Sequence, residues 1–333
     1  MFRGIDVFTS EPPEQDSSAT RLIAHPKVVA TPHLGASTKE AQENVSIDVC
    51  EQVVSILSGE LPRSAVNAPI VLPDEYRTLQ PFISLVEKMG SLYTQHYSSA
   101  KTGSFRTTFD LIYEGKLATI NTTKPLFAAL VKGLLTPITS SDGLNINIVN
   151  AELLAKERGI LINEQRSREN VEDKPYSSFI TLRARASRSV SQQPRSRNVS
   201  PSAARSLQQG TNDNDDQIIQ GFVSGNKPFI SRLDKFKGEF VPRGTLLICR
   251  NFDSVGKIGY VGNLLGKAGV NIKFMNVAPL DEEVEERMNE QNGEGEGSKE
   301  ALMILGVDKP VGEDVLKRLI ADEGVLEASV VNF

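Results

Sequence analysis

Cysteine is scarce in this chain: among 333 residues only Cys50 and Cys249 occur, and their separation fits neither a disulfide framework nor a metal-ligand spacing. A disulfide-stapled secreted scaffold is excluded, no metal site is expected, and both thiols should be buried in a protein of a reducing compartment. An excess of positive charge is missing too. With 37 Lys and Arg against 42 Asp and Glu, a net charge of −5 and a pI near 5.5, the chain has no general attraction to polyanions. Nucleic acid is therefore not expected as a partner, and small metabolites fit better. Long apolar runs are lacking as well: "LFAALVKGLL" is too short to cross a bilayer, and "MFRGIDVFTSEPP" lacks the charged-then-apolar layout of a signal peptide. A cytoplasmic protein without a membrane partner is expected. Histidine is also rare, so any imidazole chemistry must use His25, His33 or His96.

What is present is a globular composition with interruptions, 39% hydrophobic and long enough for two or three domains. "RGIDVF" and "KVVATPH" are apolar runs of strand length, separated by a Pro- and Ser-rich loop, and look like the edge of a mostly parallel sheet. A long amphipathic helix follows from "STKEAQENV", with Ser37 as cap and Glu40 completing a capping box. Residues 61–75, with three prolines, read as a linker. From there to 243 the pattern is α+β: helices "PFISLVEKMGSLYTQHYS", "KPLFAALVKGLL" and "NAELLAKERG" mix with strands "FRTTFDLIYEG", "ILINEQ", "SFITLRA", "IIQGFVSG" and "KPFISRLDKF". Residues 184–217 are rich in Ser, Arg, Gln and Asn and nearly empty of large apolar side chains, so they read as a disordered insertion. Its "RSVS" and "RNVSP" make Ser191 and Ser200 candidate phosphorylation positions. Residues 244–333 alternate as βαββαβ, the ferredoxin-like pattern, with an acidic loop at 280–300.

"VVATPHLGAST" poses the chemical question, because His33 at the end of an apolar run is either a base or a polar residue that stops a strand. "GIDVFTSEPP" followed by "HPKVVATPHLGASTKEAQENV" resembles the C-terminal signature of the D-isomer-specific 2-hydroxyacid dehydrogenases. The resemblance implies a Rossmann-type parallel sheet in residues 1–60, of which this would be the C-terminal remnant with its return helix, and a substrate-domain remnant in 61–75. It also implies NAD-dependent hydride transfer, with His33 as the base, Glu11 orienting it, Asp6 near the nicotinamide carboxamide and Gly35 where backbone approaches the cofactor. The family's G-x-G-x-x-G turn and its substrate-gripping arginine do not occur in these residues. The chain is thus expected to be an N-terminally truncated portion that neither binds NAD nor turns over substrate alone.

The remainder resembles the long-form members, which oxidise 3-phosphoglycerate. Residues 76–243 look like their intervening, allosteric substrate-binding domain, with Arg166, Arg183 and Arg243 at positions that collect an anion. Residues 244–333 look like an ACT domain, a module that pairs with a second copy and binds an amino acid between them. Asp253 and Gly256 in "NFDSVGKIG" and Asn271 in "GVNI" are then the implied contacts for L-serine as effector. A homo-oligomer joined through ACT pairing is implied. A non-catalytic serine-sensing or oligomerisation subunit is the competing reading.

Overall fold

The computed structural model describes residues 2–58, 62–68, 71–99, 106–139, 145–167, 177–185, 217–281, 300–321 and 325–333. The expected insertion, with Ser191 and Ser200, and the expected acidic loop lie outside these residues apart from their ends. Two compact units result, residues 1–70 and residues 71–333.

In the first unit, β1 (Arg3–Ile5) and β2 (Val28–Ala30) pair in parallel, Gly4 opposite Val29, with α1 (Ser18–Ile23) between them in sequence. α1 starts where Ser17 Oγ accepts the Thr20 N–H. After β2 the chain makes a 3₁₀ turn at Gly35–Ser37 and enters α2 (Lys39–Leu57). The expected cap is corrected: Ser37 is consumed by the 3₁₀ turn, and Thr38 caps α2 by accepting from the Ala41 N–H at 3.1 Å. α2 is less one-sided than expected. Val45, Val49, Val53 and Ile56 fall on one stripe and Ile47, Val54 and Leu57 on another, and all stay exposed. Cys50 lies on this helix and is exposed, contrary to expectation, because α2 buries no side chain.

The second unit holds the core. α3 (Pro73–Ser99) packs against α4 (Lys124–Leu135), and their crossing is set by Gly90 and Gly133. A Cβ on Gly133 would stand 2.0 Å from the Glu87 carbonyl oxygen, so only glycine permits the approach. α3 begins within the expected linker and runs through Pro81, with Leu79 before it and Leu85 after it both fully buried. The six-stranded sheet has the order β4-β3-β5-β6-β7-β8, formed by β3 (Thr108–Gly115), β4 (Leu161–Arg166), β5 (Ser178–Ala184), β6 (Gln217–Ser224), β7 (Lys227–Leu233) and β8 (Phe236–Phe240). β3 and β4 are parallel and the other neighbours antiparallel. "KPFISRLDKF", expected as one strand, is broken by Asp234, which takes a left-handed φ of 52° between β7 and β8. A short helix, α5 (Ala151–Glu157), precedes β4, and Gly159 beyond it has the left-handed φ of 67° that ends a helix.

β9 (Thr245–Phe252), α6 (Lys257–Lys267), β10 (Ile272–Pro279), β11 (Glu300–Val307), α7 (Glu313–Ala321) and β12 (Val325–Asn332) form the expected βαββαβ unit, an antiparallel sheet of order β10-β11-β9-β12. This sheet is covered on both faces. Leu246 and Ile248 join the core around α3, whereas Leu247 and Cys249 join a second cluster under α6 and α7. That double burial explains the unbroken apolar runs "LLIC" and "ALMIL". The expected boundary at 243/244 therefore falls inside one unit, whose main core draws on elements from both sides of it. No helix among the described residues is long and apolar enough to cross a membrane.

Candidate active site and regulatory sites

His33 and Glu11 meet. His33 Nδ1 lies 2.7 Å from Glu11 Oε2, although 22 residues separate them. Glu11 is held from its other side by the Phe8 N–H at 2.9 Å to Oε1. The Phe8 amide and the imidazole hold the Glu11 carboxyl below its usual range, and the Glu11 hydrogen bond and charge raise His33 above 6.5. Both side chains are open to solvent.

The turn that presents His33 is built by Asp6. Its Oδ1 accepts from Thr31 Oγ1 at 2.5 Å and from the Leu34 N–H at 2.7 Å, and its Oδ2 accepts from the Gly35 N–H at 2.7 Å. Its backbone carbonyl takes the His33 N–H at 2.9 Å. These bonds hold His33 at a φ of 58°, a left-handed conformation that a non-glycine residue needs support to keep. The Thr31 hydroxyl, followed by the Leu34 amide, pulls the Asp6 carboxyl below its usual range. Gly35 approaches this carboxylate so closely that a Cβ would stand 3.0 Å from Oδ2. All three oxygens of Asp6 thus accept from the turn at residues 31–35, a role that "GIDV" alone does not announce.

The three arginines do not converge. Arg183 stands opposite Asp110 in the β5–β3 pair, on the face away from the helices, and its Nε is buried without a hydrogen-bond partner among the described residues. Arg166 stands opposite Tyr113, whose ring lies in the helix-side core, and donates to the Asn121 carbonyl at 3.2 Å. Arg243 follows β8, at the far edge of the sheet from β4. Sequence reasoning missed the polar group beside Arg183: Asp110, 1% exposed, is bound by Arg185 and accepts from Asn163 Nδ2 at 3.2 Å. An acid between the apolar residues of "FDLIY" was its signal.

The three expected effector contacts also separate. β9 and β10 run the same way on either side of β11, with Thr245 and Ile272 both opposite Val307. Asp253 and Gly256 follow the far end of β9, so Asn271 lies at the other end of the sheet, roughly 20 Å away along the strands. Gly256 adopts a φ of 90° at the start of α6. Asn271 is tied locally, its N–H donating to Asp308 Oδ1 at 2.9 Å. Beneath the Asp253 loop sits Asn251, 3% exposed, whose Oδ1 lacks a hydrogen-bond partner among the described residues while its Nδ2 donates to the Phe252 carbonyl.

Comparison with known proteins gives the class first: residues 78–194 match the family model described as the D-3-phosphoglycerate dehydrogenase intervening domain. Over nearly its whole length the chain is similar to D-3-phosphoglycerate dehydrogenases. It is 35% identical over 317 residues to D-3-phosphoglycerate dehydrogenase 2, chloroplastic, of Arabidopsis thaliana, covering 95% of this chain and 44% of that protein. It is 32% identical over 327 residues to D-3-phosphoglycerate dehydrogenase of Archaeoglobus fulgidus, covering 98% and 52%, and 29% identical over 328 residues to that of Bacillus subtilis, again 98% and 52%. The chain spans about half the length of the curated relatives it matches.

Proposed function

We propose that these residues serve a phosphoglycerate dehydrogenase of L-serine biosynthesis, an NAD-dependent oxidoreductase acting on 3-phosphoglycerate, with His33 as base and Glu11 as its orienting carboxylate. The 2.7 Å contact between them carries the reading. With Nδ1–H donating to Glu11, Nε2 keeps its lone pair and can take the proton of a 2-hydroxyl group, and the carboxylate then stabilises the imidazolium. The residues present do not by themselves fit NAD: the 333 residues contain no G-x-G-x-x-G turn, and Asp6 is engaged by Thr31, Leu34 and Gly35. Asp6 and Gly35 are assigned to the cofactor-facing turn, and no step through the cofactor is assigned to this chain. Alone, these residues are expected neither to bind NAD nor to oxidise 3-phosphoglycerate.

The regulatory assignment is that residues 244–333 form an ACT domain that binds L-serine between two copies. The placement of Asn271 opposite Asp253 and Gly256 supports pairing, since one copy cannot gather all three. Asn251 joins the set because its buried Oδ1 is free to accept from an ammonium group. Arg183, with Arg166 and Arg243 as outlying members, is assigned to anion recognition in the intervening domain; unchanged phosphate binding after Arg183→Ala with Arg243→Ala would dismiss this.

A second reading, a non-catalytic serine-sensing or oligomerisation subunit, is favoured by one observation: residues 71–333 contain every buried side chain among the described residues. Titration calorimetry of the purified chain with L-serine and with NAD tests both readings. Serine binding without NAD binding is the expected result, NADH production from 3-phosphoglycerate would overturn the assigned inactivity, and absence of serine binding would remove the regulatory assignment from either reading.

A further inference from the structure

We propose that His96 is a proton-operated latch between α3 and β12, the seam along which the four-stranded sheet docks on the rest of residues 71–333. His96 lies on the last turn of α3 and is 7% exposed. Its Nδ1 is 2.6 Å from Ser329 Oγ on β12, itself 3% exposed, and its ring meets Tyr97 edge-on at 4.8 Å. The neighbouring Gln95 closes the outer edge of β12 from both sides of its amide, donating to the Asn332 carbonyl and accepting the Asn332 N–H, each at 2.9 Å. Two turns earlier Lys88 donates to the Pro242 carbonyl at 2.6 Å. α3 therefore packs on the sheet face that carries Leu246, Ile248 and Val331 and reaches the outer edge of β12 through Gln95, and His96 is the titratable member of that contact at neutral pH.

The surroundings favour a neutral ring. Facing it are Ser329 and Glu327 from β12, Arg250 from β9 and Asp234 from the β7–β8 turn. The two carboxylates are committed elsewhere. Asp234 accepts from the Tyr97 hydroxyl and from the Ile218 N–H, and Glu327 pairs with Arg250 at 3.3 Å. Among the described residues an imidazolium here would have the Ser329 hydroxyl as its hydrogen-bond partner. Burial outweighs the two acids and pulls His96 below 6.5. An undocked seam takes up the proton at the ordinary value, so docking is complete above pH 6.5 and weakens as pH falls below it. One proton is linked, so opening rises by at most about tenfold per pH unit and levels off once the docked ring itself takes up the proton.

Hydrogen exchange of the full chain between pH 7.5 and 5, corrected for intrinsic rates, reads this as opening at β12. The expected result is that β12 opening rises as pH falls below 6.5, by at most about fivefold between 6.5 and 5.5, with β3 unmoved, a slope that His96→Gln abolishes. An identical slope in wild type and His96→Gln would overturn the proposal. If His96→Gln does not fold, the wild-type His96 ring, followed by NMR, must titrate below 6.5 in step with β12 opening. A midpoint at or above 6.5, or opening that does not follow it, overturns the latch. Ser329→Ala should raise opening at every pH while keeping the slope.

Discussion

Residues 1–70 and residues 71–333 are held together by opposite means. The first unit buries no described side chain, yet it fixes a histidine and a glutamate 22 residues apart at 2.7 Å. The second buries tyrosines, phenylalanines and leucines to completion and uses its polar groups mainly as seams within that core. Proton chemistry in the first depends on directional bonds to Asp6, of which the one from Thr31 is half-buried and those from Leu34 and Gly35 are exposed. Stability in the second depends on packing, with about 2 kcal/mol for each large side chain removed from water.

The largest test of this contrast lies in the core. Leu92→Ala should cost about 3 kcal/mol in chemical unfolding of residues 71–333, because the side chain is fully buried. Val53→Ala on α2 should cost within about 0.5 kcal/mol, since that residue is 48% exposed. Equal costs would remove the distinction. Gly133→Ala comes next: the added Cβ meets the Glu87 carbonyl, and a loss of about 2 kcal/mol is expected despite alanine's better helix propensity. Thermal melting reads it, and a rise in melting temperature would mean that α3 and α4 can separate freely.

Smaller effects belong to the first unit. Asp6→Ala frees the Thr31 hydroxyl and the Leu34 and Gly35 amides, so amide exchange across residues 31–35 should accelerate while β3 is unaffected. Gly35→Ala should act in the same direction more weakly, since its Cβ would crowd the Asp6 carboxylate at 3.0 Å rather than remove it.

Much of the second unit was legible because alternation and helical period report burial directly. "TFDLIYEG" alternates onto the core through Phe109, Leu111 and Tyr113, and "LLIC" runs unbroken because its sheet is covered on both faces. The capping of α2 was misread because Ser37 and Thr38 are chemically equivalent caps, and the choice between them is made by the 3₁₀ turn at Gly35–Ser37. The exposure of Cys50 was missed because an apolar helix sequence does not say whether its stripes find a partner. At the sites, spacing within one motif could suggest that His33 pairs with Glu11. It could not reveal that Asp6 builds the turn, that Arg166 and Arg183 leave the sheet on different faces, or that Asn271 lies at the far end from Asp253. Those facts depend on strand register, which local sequence does not encode.

The proposed proton chemistry rests on the contact between Glu11 and the His33 imidazole. An NMR titration of the three histidines in wild type and in Glu11→Gln tests it most directly. His33 should titrate above 6.5 in the wild type and move down toward 6.5 in the variant, with His96 unmoved. A His33 midpoint that is the same in both proteins would contradict the account.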